Sequence, residues 1–398
     1  MKKIFTLLFI AFAVFSCSND SDPAIDKSEF VRIYDNTRFN SSYFPIDVRQ
    51  TSDGGYLILG GRRLSDVDPG DDLPGVYLMK VDEWGKFISD TELDKSMIGP
   101  IGPLLEQNGL FHFFCMKNFQ TQLMVVDHSG TITNTLNIGG TYPCASAMDN
   151  GNFLLLGYDV ANKKSLVSII TPNGNIQKSR GFVIEARDEV EKSIKNHFLR
   201  TGKQLPYQVG KSGDGKYFYN GFYNYTLSLV FTDLNSDTPM GTANGYLDNG
   251  GFSQLLPLEG NTFAAARFNF GDNYILPNVT INTSGLSGID KLGGNSFPEL
   301  VGDAPVRIIK TTISGKEVLV YASNTRSRQI ALYFYDKTTG AFAGSHYLGF
   351  SNPFEVTNIV ATADAGLAVC GTTYVAGRFP RICLFKLSKE TLSGSIKK

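Results

Sequence analysis

Asp66-x-Asp68-x-Gly70-Asp71-Asp72 gathers carboxylates in one short segment, as a hard cation such as calcium requires. The glutamate that closes a calcium loop has no counterpart there. Asp66, Asp68 and Asp71 are therefore read first as an acidic hairpin loop and second as metal ligands, and no cofactor is expected. Gly210 to Lys216 imitates a phosphate-binding loop, but Tyr217 replaces the hydroxyl residue that holds magnesium, and β-rich runs follow where a helix is needed. The histidines, His112, His128, His197 and His346, have no HxxxH spacing and no triad companions. Glycoside cleavage needs two carboxylates across a pocket. Asp159, Glu185 and Asp272 are the acids a fold would have to bring together for that chemistry, and no enzyme motif accompanies them. The better-populated set is cationic and aromatic: Arg62, Arg63, Arg267, Arg326, Arg328 and Arg378, interleaved with Phe268, Phe270, Tyr274, Tyr374 and Phe379. Guanidinium forks hold carboxylates, and aromatic platforms stack on sugars or peptides.

The elements that carry these residues follow from an internal repeat. Its clearest copy is Thr51-Ser52-Asp53-Gly54-Gly55-Tyr56-Leu57-Ile58-Leu59-Gly60, a polar turn feeding an apolar strand. Weaker copies start at Asn108-Gly109, Asn150-Gly151, Asp214-Gly215, Glu259-Gly260, Ser314-Gly315 and Asp364-Ala365-Gly366. Each leads to a second apolar strand that closes on another turn, first at Lys80-Val81-Asp82-Glu83-Trp84-Gly85. Two turn signals per unit describe two hairpins sharing a middle strand. The expected fold is all-β: a seven-bladed β-propeller of four-stranded antiparallel blades over residues 28–398, with the count open by one blade. The last copy lacks a fourth strand, and Glu29 to Tyr34 is an unassigned β segment. That segment is expected to close the ring and hide its edges.

In such a ring the short Asp/Gly turns share one face, and the long, irregular segments fall on the other, where binding residues concentrate. The arginine and aromatic set belongs to that face, as do Arg62 to Gly75 and Thr372 to Pro380. The longest excursion, Glu185 to Arg200, places Val190, Ile194 and Phe198 on one helical stripe, with Gly202 and Pro206 beyond its end. One helical insertion is expected there.

The repeat resembles the propeller-like repeats of bacterial surface and secreted proteins, which carry DGGY before an apolar strand and a KxDxxG turn. The match is close at Asp53-Gly54-Gly55-Tyr56 and at Lys80, Asp82 and Gly85. The first residues resemble a lipoprotein signal: Lys2 and Lys3, an apolar run to Phe15, then Ser16-Cys17. That run is too short to span a bilayer. The resemblance implies cleavage after residue 16, lipidation of Cys17 and a tether over 17–27, whose Ser18 to Asp22 is similar to the surface-export signals of Bacteroidetes lipoproteins. It implies an outer-membrane, cell-surface location and partners among transporters or other lipoproteins of a nutrient-uptake system. A glycan or peptide ligand is expected, and a hydrolase or lyase acting on one is the alternative.

A net charge of −1 with 19% charged residues argues against nonspecific nucleic-acid binding, which depends on a basic surplus. Cys115, Cys144, Cys370 and Cys383 lack CxxC spacing, so a metal-thiolate site is not expected. If Ala376-Gly377 forms a two-residue turn, Cys370 and Cys383 face each other and a cross-strand disulfide is geometrically open.

Overall fold

A computed structural model describes residues 28–35, 41–64, 73–185, 187–302, 304–374 and 379–396. Cys17, the signal and tether segments, Asp66, Asp68, Asp71 and Arg378 lie outside the described residues.

The chain is all-β, built as successive antiparallel groups of about four strands in a β-propeller-like arrangement. The simplest group runs Tyr142–Asp149, Asn152–Asp159, Lys164–Ile170 and Ile176–Val183, each strand pairing with the next. Two further groups, starting at Ser41–Gln50 and Met97–Gln107, are joined into one sheet by a single pairing of Gly75 with Ile98. The group starting at Gly250–Pro257 ends on the two-residue strand Asn295–Ser296. The last group, Phe354–Ala361, Leu367–Tyr374 and Pro380–Leu387, takes Phe30–Tyr34 as its outer strand, with Phe30 opposite Lys386.

The continuous apolar runs of the sequence are second strands buried on both faces, which is why they do not alternate with polar residues. Leu57 and Leu59 pack against Phe111 and Phe113 of the following group, while Tyr56 and Ile58 of the same strand pack against Cys370 and Leu384 of the last. The first strands of successive groups touch one another in chain order from Ser41–Gln50 through Met97–Gln107, Tyr142–Asp149, Gln208–Lys211, Gly250–Pro257 and Arg307–Ile313 to Phe354–Ala361.

The repeat motif is a polar clip. Thr51 and Asp53 of the first turn both accept from Lys80 Nζ at 3.0 Å, and Lys80 is only 4% exposed. Lys386 makes the same bond to Asp364 at 3.0 Å in the last group, and Lys216 pairs with Asp214 within its own turn. In four of the units the second turn is held by an aspartate that accepts backbone N–H groups: Asp82 from Trp84 and Lys86, Asp127 from Ser129 and Thr131, Asp233 from Asn235, and Asp336 from Thr338 and Thr339.

Burial works to raise the Asp53 carboxyl, but hydrogen bonds from Thr51, Lys80 and Gly55 outweigh it and hold the group down at about 2. Asp364 and Asp214 are lowered by the same balance of burial against clip hydrogen bonds. A carboxyl whose folded value lies below its unfolded value of about 4 stabilises the fold above that pH and loses the contribution as pH falls. The urea midpoint is therefore expected to fall between about pH 4 and pH 2, and more steeply in the parent than in Asp53→Asn.

Two expectations change in detail. The insertion helix, α1, spans Asp188–Phe198 and buries Val190, Ile194 and Phe198 as the stripe requires, with His197 added. Cys370 and Cys383 do not face each other: Cys370 lies opposite Leu384 and Cys383 opposite Gly371. Pairing of Tyr374 with Pro380 makes the connection longer than two residues, and that one-residue offset sends the two thiols to opposite faces of the sheet. Both are free, buried thiols, Cys383 in one hydrophobic cluster and Cys370 in the next.

Candidate functional site

A cavity of about 1080 Å³ is framed by the first strand of every group. The residues six places before each turn, Asp47, Gly102, Cys144, Gln208, Ser253, Ile308 and Asn358, all line it. Four of these strands bulge at that level, at Ile46, Cys144, Ser253 and Thr357. A bulge re-aims side chains out of the regular pleat, here onto the cavity wall.

Asp47, 1% exposed, is held from three sides. It accepts from Leu104 N–H at 2.6 Å, from Arg49 Nε at 3.0 Å and from the Asn358 amide. Glu355, on the adjacent first strand Phe354–Ala361 that also carries Asn358, lines the wall too, and burial raises its carboxyl above the usual range.

Arg200 reaches the cavity from the insertion. His197 Nδ1 accepts the Leu205 N–H at 3.0 Å, and left-handed backbone at Arg200 and Gly202 turns the chain after α1 back on itself. That reversal delivers Arg200 and Lys203 to the wall. The Arg200 guanidinium lies 5.4 Å from the Phe44 ring centre and donates to Gln204 Oε1 at 3.1 Å. Burial, with Arg307 and Arg63 nearby, brings its value down to about 10. Arg307, on the first strand of the sixth group, donates to the Thr357 carbonyl across to the next group. Burial lowers its value too, against the opposing field of Asp47. Burial also depresses His197 to about 3, with Arg200 adding to the effect, so the imidazole is neutral.

Of the residues singled out in the sequence, Arg63, Phe268 and Tyr374 share this cavity. The others are placed elsewhere. Arg62 is ion-paired with Glu92. Arg267 lies 3.9 Å from the Tyr274 ring centre and donates to the Gly293 carbonyl at 2.8 Å, which joins those two residues as a packing pair. Arg326 donates to the Leu300 carbonyl. Asp159 accepts from the Ala161 and Asn162 N–H groups of its own turn, Glu185 is exposed beside Tyr225, and Asp272 opens a strand. None of these three carboxylates lines the cavity. Among the described residues no His, Cys, Asp and Glu group forms a metal-binding cluster.

The cavity residues absent from the sequence reading, Asp47, Arg200, Arg307 and Glu355, include two on first strands close to the repeat's own six-residue offset. Counting back from each turn would have marked the wall.

Fold and cavity together define a β-propeller-like protein with a charged central cavity. No protein-family description matches the chain, and no curated protein matches it. Among solved structures it is similar to the NanB sialidase from Streptococcus pneumoniae, at TM-score 0.47 and 11% identity over 91% of this chain and 71% of that one. It is also similar to a chain of a mitotic checkpoint complex, at TM-score 0.45 and 10% identity over 90% and 95% of the two chains. A third similarity is to the AfRom2 CNH domain, at TM-score 0.46 and 9% identity over 89% and 98%.

Proposed function

We propose that this chain is a lipid-anchored surface protein whose seven-bladed propeller binds a small ligand in its central cavity, as an accessory to an outer-membrane uptake system. The observation that carries the binding reading is the cavity itself: every first strand contributes a residue at one level, and charged side chains concentrate there. The ring reading is supported by contacts that bridge the two ends of the series. Ser41–Gln50 touches Phe354–Ala361, Asn358 donates to Asp47, and Ala363 N–H donates to Gln50 at 2.8 Å. The strand Phe30–Tyr34, outermost in the last group, completes its four strands and is the proposed closure.

Binding is favoured over hydrolysis because the acids that would have to act as a pair do not meet. Asp159, Glu185 and Asp272 sit at separate strand ends, and Asp47 is committed to three donors. The anchor reading rests on the Ser16-Cys17 junction and the acidic stretch after it.

Protease added to intact cells is expected to remove the chain, and Cys17→Ser to release it from the membrane pellet. Survival of the uncut protein would end the surface assignment, and an unchanged pellet for the variant would end the anchor assignment.

A further inference from the structure

We infer that the central cavity holds a small organic oxyanion, a carboxylate or a phosphate ester, between the guanidinium groups of Arg200 and Arg307, with Arg63 adding charge. This rests on the cavity being the working site and names the chemistry of what enters it.

The first support is local charge. The described wall carries Arg49, Arg200 and Arg307 against Asp47 and Glu355, with Arg63 and Lys203 also on it, a mainly cationic lining in a chain whose net charge is −1. Those cations come from distant parts of the sequence: Arg63 from a second strand, Arg200 from the insertion and Arg307 from a first strand. Bringing like charges together in a partly enclosed space costs free energy, and an anion relieves it.

The second support is what Arg200 and Arg307 touch. Among the described residues neither has a carboxylate within ion-pairing distance. Arg200 meets an amide oxygen and the Phe44 ring, and Arg307 meets the Val306 and Thr357 carbonyls. Each is positioned by neutral groups, with no carboxylate in direct contact. Asp47, whose field reaches Arg307, has its oxygens engaged by Leu104, Arg49 and Asn358.

The third support is the rest of the wall. Ser253, 4% exposed, lines the cavity and its hydroxyl has no hydrogen-bond partner among the described residues. Phe44 and Tyr374 add flat surfaces of the kind that pack against a sugar ring. Guanidinium forks match carboxylate and phosphate oxygens in pairs, so the two anions share one recognition chemistry.

Titration calorimetry of the full chain in detergent, with glucuronate, glucose 6-phosphate, inorganic phosphate and glucose, tests this. The acid sugars are expected to bind, glucose to bind far more weakly, and high salt to weaken the acids selectively. The tighter of glucuronate and glucose 6-phosphate identifies the anion, and inorganic phosphate reports how much of that affinity the charge alone supplies. Arg200→Met and Arg307→Met should each weaken acid binding by about 10- to 100-fold, the loss of a charge-assisted hydrogen bond. Arg307→Lys, which keeps charge without the fork, should fall between. Circular dichroism checks that each variant is folded.

Glucose binding as tightly as the acids, with the arginine variants unaffected, overturns the anion inference and leaves the cavity reading in place. Acid binding that survives both arginine substitutions overturns it as well, as does the absence of binding by every probe. Gln254→Trp adds bulk to the cavity wall beside Ser253 without touching the arginine side chains' charge. If that variant binds every probe as the parent does, the cavity is not the site and both readings fall.

Discussion

Asp47→Ala is expected to lower the unfolding free energy by about 3 to 5 kcal/mol, the range for removing one partner of a buried, charge-assisted network. The side chain is 1% exposed and serves Leu104 N–H, Arg49 and Asn358 at once, so its loss strands three donors. The bond to Asn358 joins the first group to the last. Asn358→Ala removes one of those three bonds and should cost about 1 kcal/mol. In the double variant the two losses should not add, because the residues share a bond. Urea unfolding of the parent, both single variants and the double variant measures this directly. Additive losses would mean that Asp47 supports only its own strand and the neighbouring Leu104.

Gly55→Ala and Gly366→Ala should each cost about 3 kcal/mol, by overpacking and by expelling a buried lysine from its clip. A Cβ at Gly55 would overlap the Val81 carbonyl oxygen and Lys80 Nζ, and one at Gly366 would overlap Lys386 Nζ and the Leu387 carbonyl oxygen. The lysine crosses over the glycine two residues after the aspartate it reaches, so the missing side chain is part of the clip. Gly140→Ala, where the added methyl meets nothing within 4 Å, should change stability by less than about 0.5 kcal/mol. Thermal unfolding of the three variants separates the two cases. Equal, small shifts in all three would show that the lysine clips contribute little.

The repeat was legible because its signals are local. A polar turn, an apolar run and a second turn with aspartate and glycine can each be read within ten residues, and Lys80 lies within the copy that also holds Asp82 and Gly85. The stripe of α1 was legible for the same reason, through Val190, Ile194 and Phe198. Register was not. Whether Cys370 meets Cys383 depends on a single residue in the length of one connection, and period-two alternation turns that residue into the difference between the same face and opposite faces.

The site was the least legible part. Arginines chosen for lying near aromatics in sequence proved to be of two kinds. Arg267 does lie over Tyr274, but as a packing contact with Arg267 itself only 5% exposed, whereas Arg63 lines the cavity. Arg200 and Arg307 have no neighbouring motif. They are brought to one cavity only by the turn of the chain after a helical insertion and by a first strand from another group. Electrostatic convergence of this sort leaves no trace in spacing.

The outer strand Phe30–Tyr34 pairs with Pro380–Leu387, and just beyond it Asp35 bonds Arg381 across 346 residues of sequence. In time order, the earliest strand to leave the ribosome waits for one of the latest. Joining ends that far apart costs on the order of 5 kcal/mol of chain entropy if nothing between them is ordered, and much less once the intervening groups have formed. Assembly should therefore run from the middle outward and finish at the seam. A nascent chain holds its last sheet open, with a sticky edge along Pro380–Leu387, until both of these strands are available to pair.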